Sequence, residues 1–254
     1  MLLLQSACST VPITGRQQLS LVSSDQVLPL SLTQYKDFLS THKVIEGTPD
    51  AKMVQRVGIR IQHAVEEFMA QQGMSSQLKG YQWEFHLVDD KEINAWCMPG
   101  GKVVVYSGIL PTTKEETGLA VVMGHEIAHA VARHGEERMS QGLLTQLGGT
   151  ALGVAIAKKP AQTQNIFMSA YGLGSQVGVL LPYSRLQESE ADHLGLIFMA
   201  MAGYDPNQAV PFWQRMAAGK NGAAPEFLST HPADATRIKQ IQELIPEAMK
   251  YYRK

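Results

Sequence analysis

The stretch His125-Glu126-Ile127-Ala128-His129 decides how the rest of this 254-residue chain is interpreted. Residues four apart lie on one face of a helix, so both imidazoles can bind the same metal ion. Glu126 lies beside them, where a carboxylate can take a proton from the attacking water of a zinc-dependent hydrolysis. Thr113 with Glu116 is typical of a capping box, and Gly135 is typical of a helix end. The sequence therefore predicts a half-buried helix that carries two metal ligands and a general base.

A zinc ion held by two histidines and solvent needs a third protein ligand. The extension that supplies a third histidine in metzincins is absent, because Ala132 and Gly135 occupy its fixed positions. A later helix, opened by a capping box of Ser184 and Gln187, carries the acidic Glu188. We predict that this helix returns beside the first one and that Glu188 is the third ligand of a single Zn²⁺ per chain.

Two neighbouring carboxylates and a loop histidine complete the predicted site. Asp192 lies four residues after Glu188, on the same face, and is predicted to orient a ligand imidazole. Glu190 is the rival carboxylate, but it points about 200° away around the helix. His231 precedes the last predicted helix, and three roles stay open for it: stabilising the oxyanion, occupying the open zinc position in a resting state, or a structural bond to the backbone.

Four further polar residues flank these motifs. Arg185 and Arg237 are interpreted as anchors for the carboxylates or as ordinary structural arginines. His134 and His193 are interpreted as helix-surface residues.

Separated motifs, in the same order along the chain, resemble metallopeptidase family forty-eight, which includes the HtpX proteases, the CAAX prenyl proteases and the Oma-like peptidases. The segments are the His125–His129 run, Glu188-Ser189-Glu190-Ala191-Asp192, Pro12-Ile13-Thr14-Gly15-Arg16, Asn94-Ala95-Trp96-Cys97-Met98-Pro99-Gly100-Gly101-Lys102 and Ser229-Thr230-His231-Pro232. They are most similar to the Oma-like and bacterial periplasmic lipoprotein branch. The resemblance implies a zincin domain of the gluzincin type and zinc-dependent endopeptidase activity.

Periodicity predicts an α+β, mostly helical fold with a small sheet beside the metal helix. The predicted elements are helices over 26–39 and 51–72, a strand over 82–88, and a hairpin of strands 93–98 and 102–106. The strand 102–106 is interpreted as an exposed edge strand that holds an extended substrate, or as an ordinary sheet strand.

Residues 1–8 resemble the tail of a bacterial secretory signal that ends at a lipid-modified cysteine, although a basic n-region is missing. We expect a signal or lipid-anchor remnant with an extended arm over 1–22, and a zinc metallopeptidase domain over 23–254. Membrane attachment would run through lipidated Cys8, which leaves Cys97 without a disulfide partner. This interpretation predicts the bacterial periplasm as the location.

The composition is ordinary for a globular protein, with 44% hydrophobic residues and a formal net charge of -1. This charge gives no reason to expect a nucleic-acid partner. The apolar segments 143–157 and 166–181 are interrupted by polar residues and fall short of the roughly 20 apolar residues of a spanning helix. We expect buried helices, or a hairpin over the active-site cleft.

The predicted function is hydrolysis of peptide bonds in unfolded or misassembled proteins, as envelope quality control. An exopeptidase, a latent enzyme held closed by its own Gly-rich hairpin, and a non-catalytic periplasmic binding module that keeps zinc remain alternatives. A structural zinc site is usually closed by four Cys or His ligands, which gives no role to Glu126. Neither the oligomeric state nor the cleavage specificity follows from the sequence.

Overall fold

A computed structural model describes residues 8–171, 184–218, 227–231 and 235–253. The predicted signal remnant up to residue 7 lies outside the described residues. Residues 172–181 of the apolar segment 166–181 also lie outside the described residues. The same holds for Pro232, the predicted start of the last helix.

Helices predominate in the described part of the chain. The strands are β1 (Cys8–Thr10), β2 (Gln17–Leu19), β3 (Val44–Ile45), β4 (Glu84–Val88), β5 (Ala95–Met98) and β6 (Lys102–Tyr106). The α-helices are α1 (Ser24–Thr41), α2 (Pro49–Gln71), α3 (Leu110–Thr113), α4 (Glu116–Val131), α5 (His134–Leu147), α6 (Leu152–Lys158), α7 (Pro160–Ala170), α8 (Arg185–Met201), α9 (Ala209–Ala218), α10 (Phe227–Thr230) and α11 (Ala235–Ala248). Short 3₁₀ turns occupy Ser75–Leu78, Ser107–Ile109, Pro206–Gln208 and Met249–Tyr251. The predicted α+β, mostly helical class is confirmed.

The main sheet has the strand order β3-β4-β6-β5. β4 and β6 are parallel, whereas β5 and β6 form an antiparallel hairpin. Gly100 and Gly101 make its turn with φ of 87° and 77°, which glycine adopts without steric cost. The hairpin prediction is confirmed, but β6 is an internal strand, so the interpretation of β6 as the edge strand is wrong. Of the two hairpin strands, β5 is the one that lies at an edge of the sheet.

Both faces of this sheet are covered by helices. Along β6, Val103 and Val105 face a core that includes α2, α4, α8, α9 and α11. Val104 and Tyr106 face a second core built with α1, α5 and α7. Because side chains alternate between the faces of a strand, the uninterrupted apolar run of β6 reflects burial on both sides.

Helix α4 begins later than the capping-box pattern predicts and is more deeply buried. Its N-cap is Glu115, while Thr113 ends the short helix α3 and bonds the carbonyl oxygen of Leu110 at 3.0 Å. Every residue of α4 from Gly118 to Val131 is buried, so the helix is surrounded by protein on all sides rather than half-buried.

The end of α4 is also earlier than Gly135 indicates. Arg133 adopts φ of 60°, a left-handed conformation that stops the helix, and α5 begins at His134. Gly135 lies inside α5, where a Cβ would meet the ring of Tyr171 at 2.0 Å. The glycine therefore permits close packing of Tyr171 and does not terminate the metal helix.

Two glycines allow α4 and α8 to touch backbone to backbone. A Cβ on Gly124 would lie 2.9 Å from the carbonyl oxygen of Gly195, and one on Gly195 would lie 2.9 Å from the amide nitrogen of His125. Contacts this short are available only without side chains. The crossing lies beside the metal helix motif and brings the two predicted ligand helices together.

The apolar segment 143–157 does not form one continuous helix. The left-handed Gly148, with φ of 60°, ends α5 within residues 143–157, and α6 starts four residues later. Leu144, Val154 and Ile156 are exposed, so only part of the segment is buried as expected. Among the described residues, none of the helices combines the length and the hydropathy needed to cross a bilayer.

Candidate metal centre

Four side chains from two long helices and the end of a short one converge on one point. The Nε2 atoms of His125 and His129 lie 3.1 Å apart, and Nδ1 of His231 lies 3.2 Å from Nε2 of His125. Oε1 of Glu188 lies 3.3 Å from Nε2 of His129 and 2.9 Å from Nδ1 of His231. All four residues are buried, and their ligand atoms lie within 4.8 Å of one another.

This set of donors fits zinc. Zn²⁺ prefers imidazole nitrogen and carboxylate oxygen at about 2.0–2.2 Å in a tetrahedral arrangement, which places the ligand atoms about 3.3 Å apart. The spacings between these four side chains, 2.9 to 3.3 Å for the pairs given above, match that requirement. Lone pairs that face one another at such distances are unfavourable without a cation between them.

His125 is supported by a charged network. Its Nδ1 lies 3.0 Å from Oδ1 of Asp192, as the sequence predicts for a residue that orients a ligand imidazole. Arg237 donates two hydrogen bonds to Asp192, at 2.8 and 2.9 Å. Its Nη1 forms an ion pair with Oε2 of Glu188 at 2.7 Å. The guanidinium also stacks over the ring of Trp213, 3.9 Å from its centroid. Arg237 therefore anchors two carboxylates, one of the two roles predicted for it.

These contacts set the charges of the site. Burial acts to raise the pKa of Glu188, but the neighbouring His231 and Arg237 outweigh it and hold that pKa well below its usual range. Burial acts to lower the pKa of His125, yet hydrogen bonds with Asp192 and Glu188 raise it to about 9. Arg237 thus keeps Glu188 and Asp192 ionised inside the protein.

Glu126 lies at this cluster without a hydrogen-bond partner for one oxygen. Among the described residues nothing hydrogen-bonds its buried Oε1, and Nε2 of His231 lies 3.6 Å from that oxygen. Burial raises the pKa of Glu126, opposed by His231 and His125. A buried carboxylate oxygen that lacks a partner can accept a hydrogen bond, and then a proton, from a molecule that enters the site.

His129 is supported by a second network, which the sequence did not predict. Its Nδ1 lies 2.9 Å from Nδ1 of His134, and Nε2 of His134 lies 3.1 Å from Oε2 of Glu190. His134 is completely buried, so its interpretation as a surface residue is wrong. The left-handed Arg133 breaks the helix just before it and turns the imidazole back onto α4. The expectation that Glu190 points away from Glu188 agrees with this placement.

The remaining predicted residues lie outside the cluster. Arg185 is exposed at the start of α8. His193 is partly buried and pairs with Glu247 at 3.1 Å. Cys97 is buried in β5.

The helix pair, the small sheet and the His/His/Glu cluster define a zincin metallopeptidase. The model of "Peptidase family M48" matches residues 58–245, and the chain belongs to this family. The predicted family, zincin fold class, enzyme class and zinc cofactor are confirmed at the level of the family.

Relatives of this chain carry metalloendopeptidase names. It is 37% identical over 241 residues to "Mitochondrial metalloendopeptidase OMA1" of Schizosaccharomyces pombe, covering 94% of this chain and 66% of that protein. It is 32% identical to the human "Metalloendopeptidase OMA1, mitochondrial", over 94% of this chain and 46% of that protein. The "Beta-barrel assembly-enhancing protease" of Yersinia pestis is 32% identical over 63% of this chain and 34% of that protein. The chain thus spans less than two thirds of the length of each of these relatives.

The predicted location in the bacterial periplasm is wrong. The relatives from fission yeast, budding yeast, a plant and human are all named as mitochondrial proteins. The location was predicted from residues 1–8, of which 1–7 lie outside the described residues, and from the resemblance to the bacterial lipoprotein branch.

Proposed function

We propose that this chain is a zinc metalloendopeptidase that cuts unfolded or misassembled proteins. The observation that carries the proposal is the buried Glu126 carboxylate, whose Oε1 has no hydrogen-bond partner among the described residues and lies beside four convergent ligand side chains. A purely structural zinc site has no use for such a base. The family and the metalloendopeptidase names of the relatives support the same reaction.

The side chains divide the work of hydrolysis between them. His125, His129 and Glu188 would hold the metal. Zinc bound there would polarise the scissile carbonyl and make a water more acidic. Glu126 accepts the proton of the attacking water and then delivers it to the leaving amine. Asp192, fixed by Arg237, keeps the imidazole of His125 aimed at the metal position.

The sheet edge offers a way to bind extended substrates. Among the described residues, β6 is the only sheet neighbour of β5, and β5 packs directly against the metal helix α4. The four residues of β5 are buried, so this edge would have to be uncovered before a substrate could pair with it. A substrate added to this edge would be held by main-chain hydrogen bonds, which read the backbone rather than particular side chains. Recognition of this kind selects unfolded segments, because folded proteins rarely present an extended strand.

A role in protein quality control at a membrane follows from this substrate class. The name of the Yersinia pestis relative refers to β-barrel assembly, which supports misassembled membrane proteins as targets. The names of the OMA1 relatives support a mitochondrial setting for this chain.

The deciding experiment compares Glu126→Gln with the wild-type chain on an unfolded polypeptide whose two termini are chemically blocked. We expect zinc content to stay at one per chain while turnover falls by about 10²–10⁴-fold, because the general base is lost. Glu115→Gln is the matched control, because it makes the same carboxylate-to-carboxamide change at an exposed residue, the N-cap of the same helix. This variant should keep wild-type turnover.

Three results would contradict the proposal. Full activity of Glu126→Gln would remove Glu126 from the reaction. Cleavage restricted to peptides with a free terminus would make the protein an exopeptidase. Zinc binding without any cleavage of blocked substrates, in the wild-type chain and in His231→Ala, would favour the binding module.

His231 favours a latent form of the same enzyme. Its Nδ1 lies within the ligand cluster, 2.9 Å from Glu188 and 3.2 Å from His125, which supports a role as a fourth ligand. In this resting state, His231 would have to leave before a substrate carbonyl could approach. The His231→Ala variant separates the two functional roles: release of latency raises turnover, whereas loss of an oxyanion donor lowers it by about 10²–10³-fold. Unchanged turnover would leave His231 a structural role.

A further inference from the structure

The hydrogen bonds that support His129 extend beyond His134 into the N-terminal hairpin of β1 and β2. Arg16 of this hairpin precedes His129 by 113 residues in the sequence. The fork of Arg16 binds Glu190 through Nε at 3.0 and 3.1 Å and through Nη2 at 3.0 Å. The hydroxyl of Thr14 also donates to Glu190, to Oε1 at 2.7 Å. Glu190 in turn contacts His134, which contacts His129. A continuous chain of hydrogen bonds therefore joins the hairpin to a residue of the metal cluster.

Arg16 is held in place from a second direction as well. Its Nη1 and Nη2 each donate to an oxygen of Glu137 on α5, at 2.9 Å. Gln187, at the start of α8, donates to the same Glu137 at 2.7 Å. One guanidinium thus bridges α5 and α8, whose carboxylates are both nearly inaccessible to solvent.

The hairpin turn is shaped to present these two side chains. Between β1 and β2, Ile13 and Gly15 both adopt φ of 65°. A left-handed conformation is unusual for a β-branched residue such as Ile13 and persists only where the surroundings enforce it. The amide of Val11 donates to the carbonyl of Arg16 at 2.9 Å, which closes the turn. The turn points Thr14 and Arg16 to the same carboxylate.

If His129 binds a metal through Nε2, the donor and the acceptor of each hydrogen bond between His129 and Glu190 are fixed. Nε2 of His129 faces the metal cluster as a lone pair, so its proton is on Nδ1 and is donated to Nδ1 of His134. His134 must then carry its own proton on Nε2 and donate it to Glu190. Both oxygens of the Glu190 carboxylate accept hydrogen bonds, from Thr14 and Arg16 on Oε1 and from Arg16 and His134 on Oε2, and its partner Arg16 is a cation. The acceptor at the end of the chain is therefore an anion.

We propose that Arg16 is a positioning residue for the metal ligand His129, acting through Glu190 and His134. Arg16 fixes the Glu190 carboxylate, which fixes the tautomer and the orientation of His134, and His134 fixes the ring of His129. The inference rests on the proposed binding of zinc by His129. The matched family region begins at residue 58, so the hairpin is a part of the metal centre outside that region.

The test measures zinc affinity by competition with a chromophoric chelator, together with the visible spectrum of the Co²⁺-substituted protein. Changing the outer partners of a metal ligand typically costs 10–100-fold in metal affinity. We expect about 100-fold weaker zinc binding for His134→Ala and about 10-fold for Arg16→Gln, both with an altered Co²⁺ spectrum. Arg16→Lys, which keeps the charge but loses the fork, should recover part of the affinity.

The matched control is Arg253→Gln. Arg253 makes the same forked pair with Glu67, at 2.6 and 2.7 Å, on the exposed surface, so its variant should keep wild-type affinity and spectrum. Glu190→Gln tests the same link from the opposite side, and the double variant with Arg16→Gln should be no weaker than the more affected single variant.

The outcomes separate this inference from the proposed function. A lower melting temperature of Arg16→Gln, with wild-type zinc affinity and Co²⁺ spectrum, would make Arg16 a structural residue and overturn the inference. A wild-type chain that binds no zinc, or an unaltered affinity in His129→Ala, would instead overturn the metal site on which the inference depends.

Discussion

The two histidines of the metal helix are supported in different ways. His125 is supported by an ionic network, in which Asp192 accepts from the imidazole and Arg237 neutralises Asp192. His129 contacts a second imidazole, that of His134. The carboxylate of this second network, Glu190, contacts His134. Burial lowers the pKa of His134, which keeps it neutral. The ligand beside a carboxylate is thus made more basic, whereas the ligand beside a neutral histidine is mainly held in orientation.

The difference also lies in where the supports come from. Asp192 and Arg237 belong to α8 and α11, which pack against each other in the same core as the metal helix. The support of His129 ends at Arg16, on a hairpin whose sheet, in the part of the chain that the structure describes, consists of β1 and β2. We therefore expect perturbation of the His125 support to affect global stability, and perturbation of the His129 support to affect mainly metal affinity.

The largest expected effect is that of Asp192→Ala. Removing one partner of a buried ion pair costs about 3–5 kcal/mol, and the low end applies because Glu188 still faces Arg237. Urea unfolding of the metal-free protein should show this loss, together with weaker zinc binding. A stability loss equal to that of Arg16→Gln would show that the two supports are equivalent and would break the comparison.

Removal of zinc should have the next largest effect. A ligand present at about 100 times its Kd stabilises the folded state by about 2.7 kcal/mol. For a chain of this length that corresponds to a decrease of about 5–10 °C in Tm after chelation, measured by calorimetry. The decrease should be smaller for Arg16→Gln, since its zinc binding is weaker. The same decrease in both proteins would contradict the link between the hairpin and the metal.

A substitution at the helix crossing should affect both supports together. Gly195→Ala places a methyl group 2.9 Å from the backbone nitrogen of His125, so α4 and α8 must separate. Overpacking of this kind costs about 1–3 kcal/mol. Zinc affinity should fall as well, because Glu188 and Asp192 move with α8. Gly153→Ala, at a position with no atom within 4 Å of the new methyl group, is the control and should change neither quantity.

The smallest effect is expected for the exposed ion pair between Arg56 and Glu116. Glu116 lies in the first turn of the metal helix, and both partners are partly exposed. Solvent-screened pairs contribute about 0–1 kcal/mol. Arg56→Gln should therefore leave turnover and zinc affinity at the wild-type level. A clear loss of zinc affinity would mean that the orientation of α4 depends on its surface contacts as well as on the two buried supports.

Local patterns were sufficient for the parts of the site that lie on single helices. The spacing of His125 and His129 follows from helix geometry alone. The capping box of Ser184 and Gln187, confirmed by reciprocal hydrogen bonds, identified the helix that carries Glu188 and Asp192. Glu188 and Asp192 share a face for the same geometric reason, and the structure places both beside the histidines.

Contacts between distant segments could not be predicted in this way. The bonds between Arg16 and Glu190 join residues 174 apart, and no local pattern specifies such a partner. The internal position of β6 depends on its parallel pairing with β4, which a hairpin prediction leaves open. The interpretation of His134 as a helix-surface residue is wrong because the left-handed Arg133 turns its imidazole onto α4. Gly135 is required by close packing against Tyr171, which a helix-end pattern does not reveal.

The family followed from the resemblance of separated motifs along the chain. The sequence by itself also indicated the metal and the two ligand helices, and it predicted Glu126 as the general base. These features depend on helical periodicity and on the coordination chemistry of imidazole and carboxylate, which are local properties of the chain. Only the tertiary structure decided which strand forms the sheet edge, that His231 joins the ligand cluster, and that the hairpin with Arg16 supports His129. Those contacts depend on the packing of segments far apart in the chain, where many partners are chemically equivalent until the fold brings one of them within hydrogen-bonding distance.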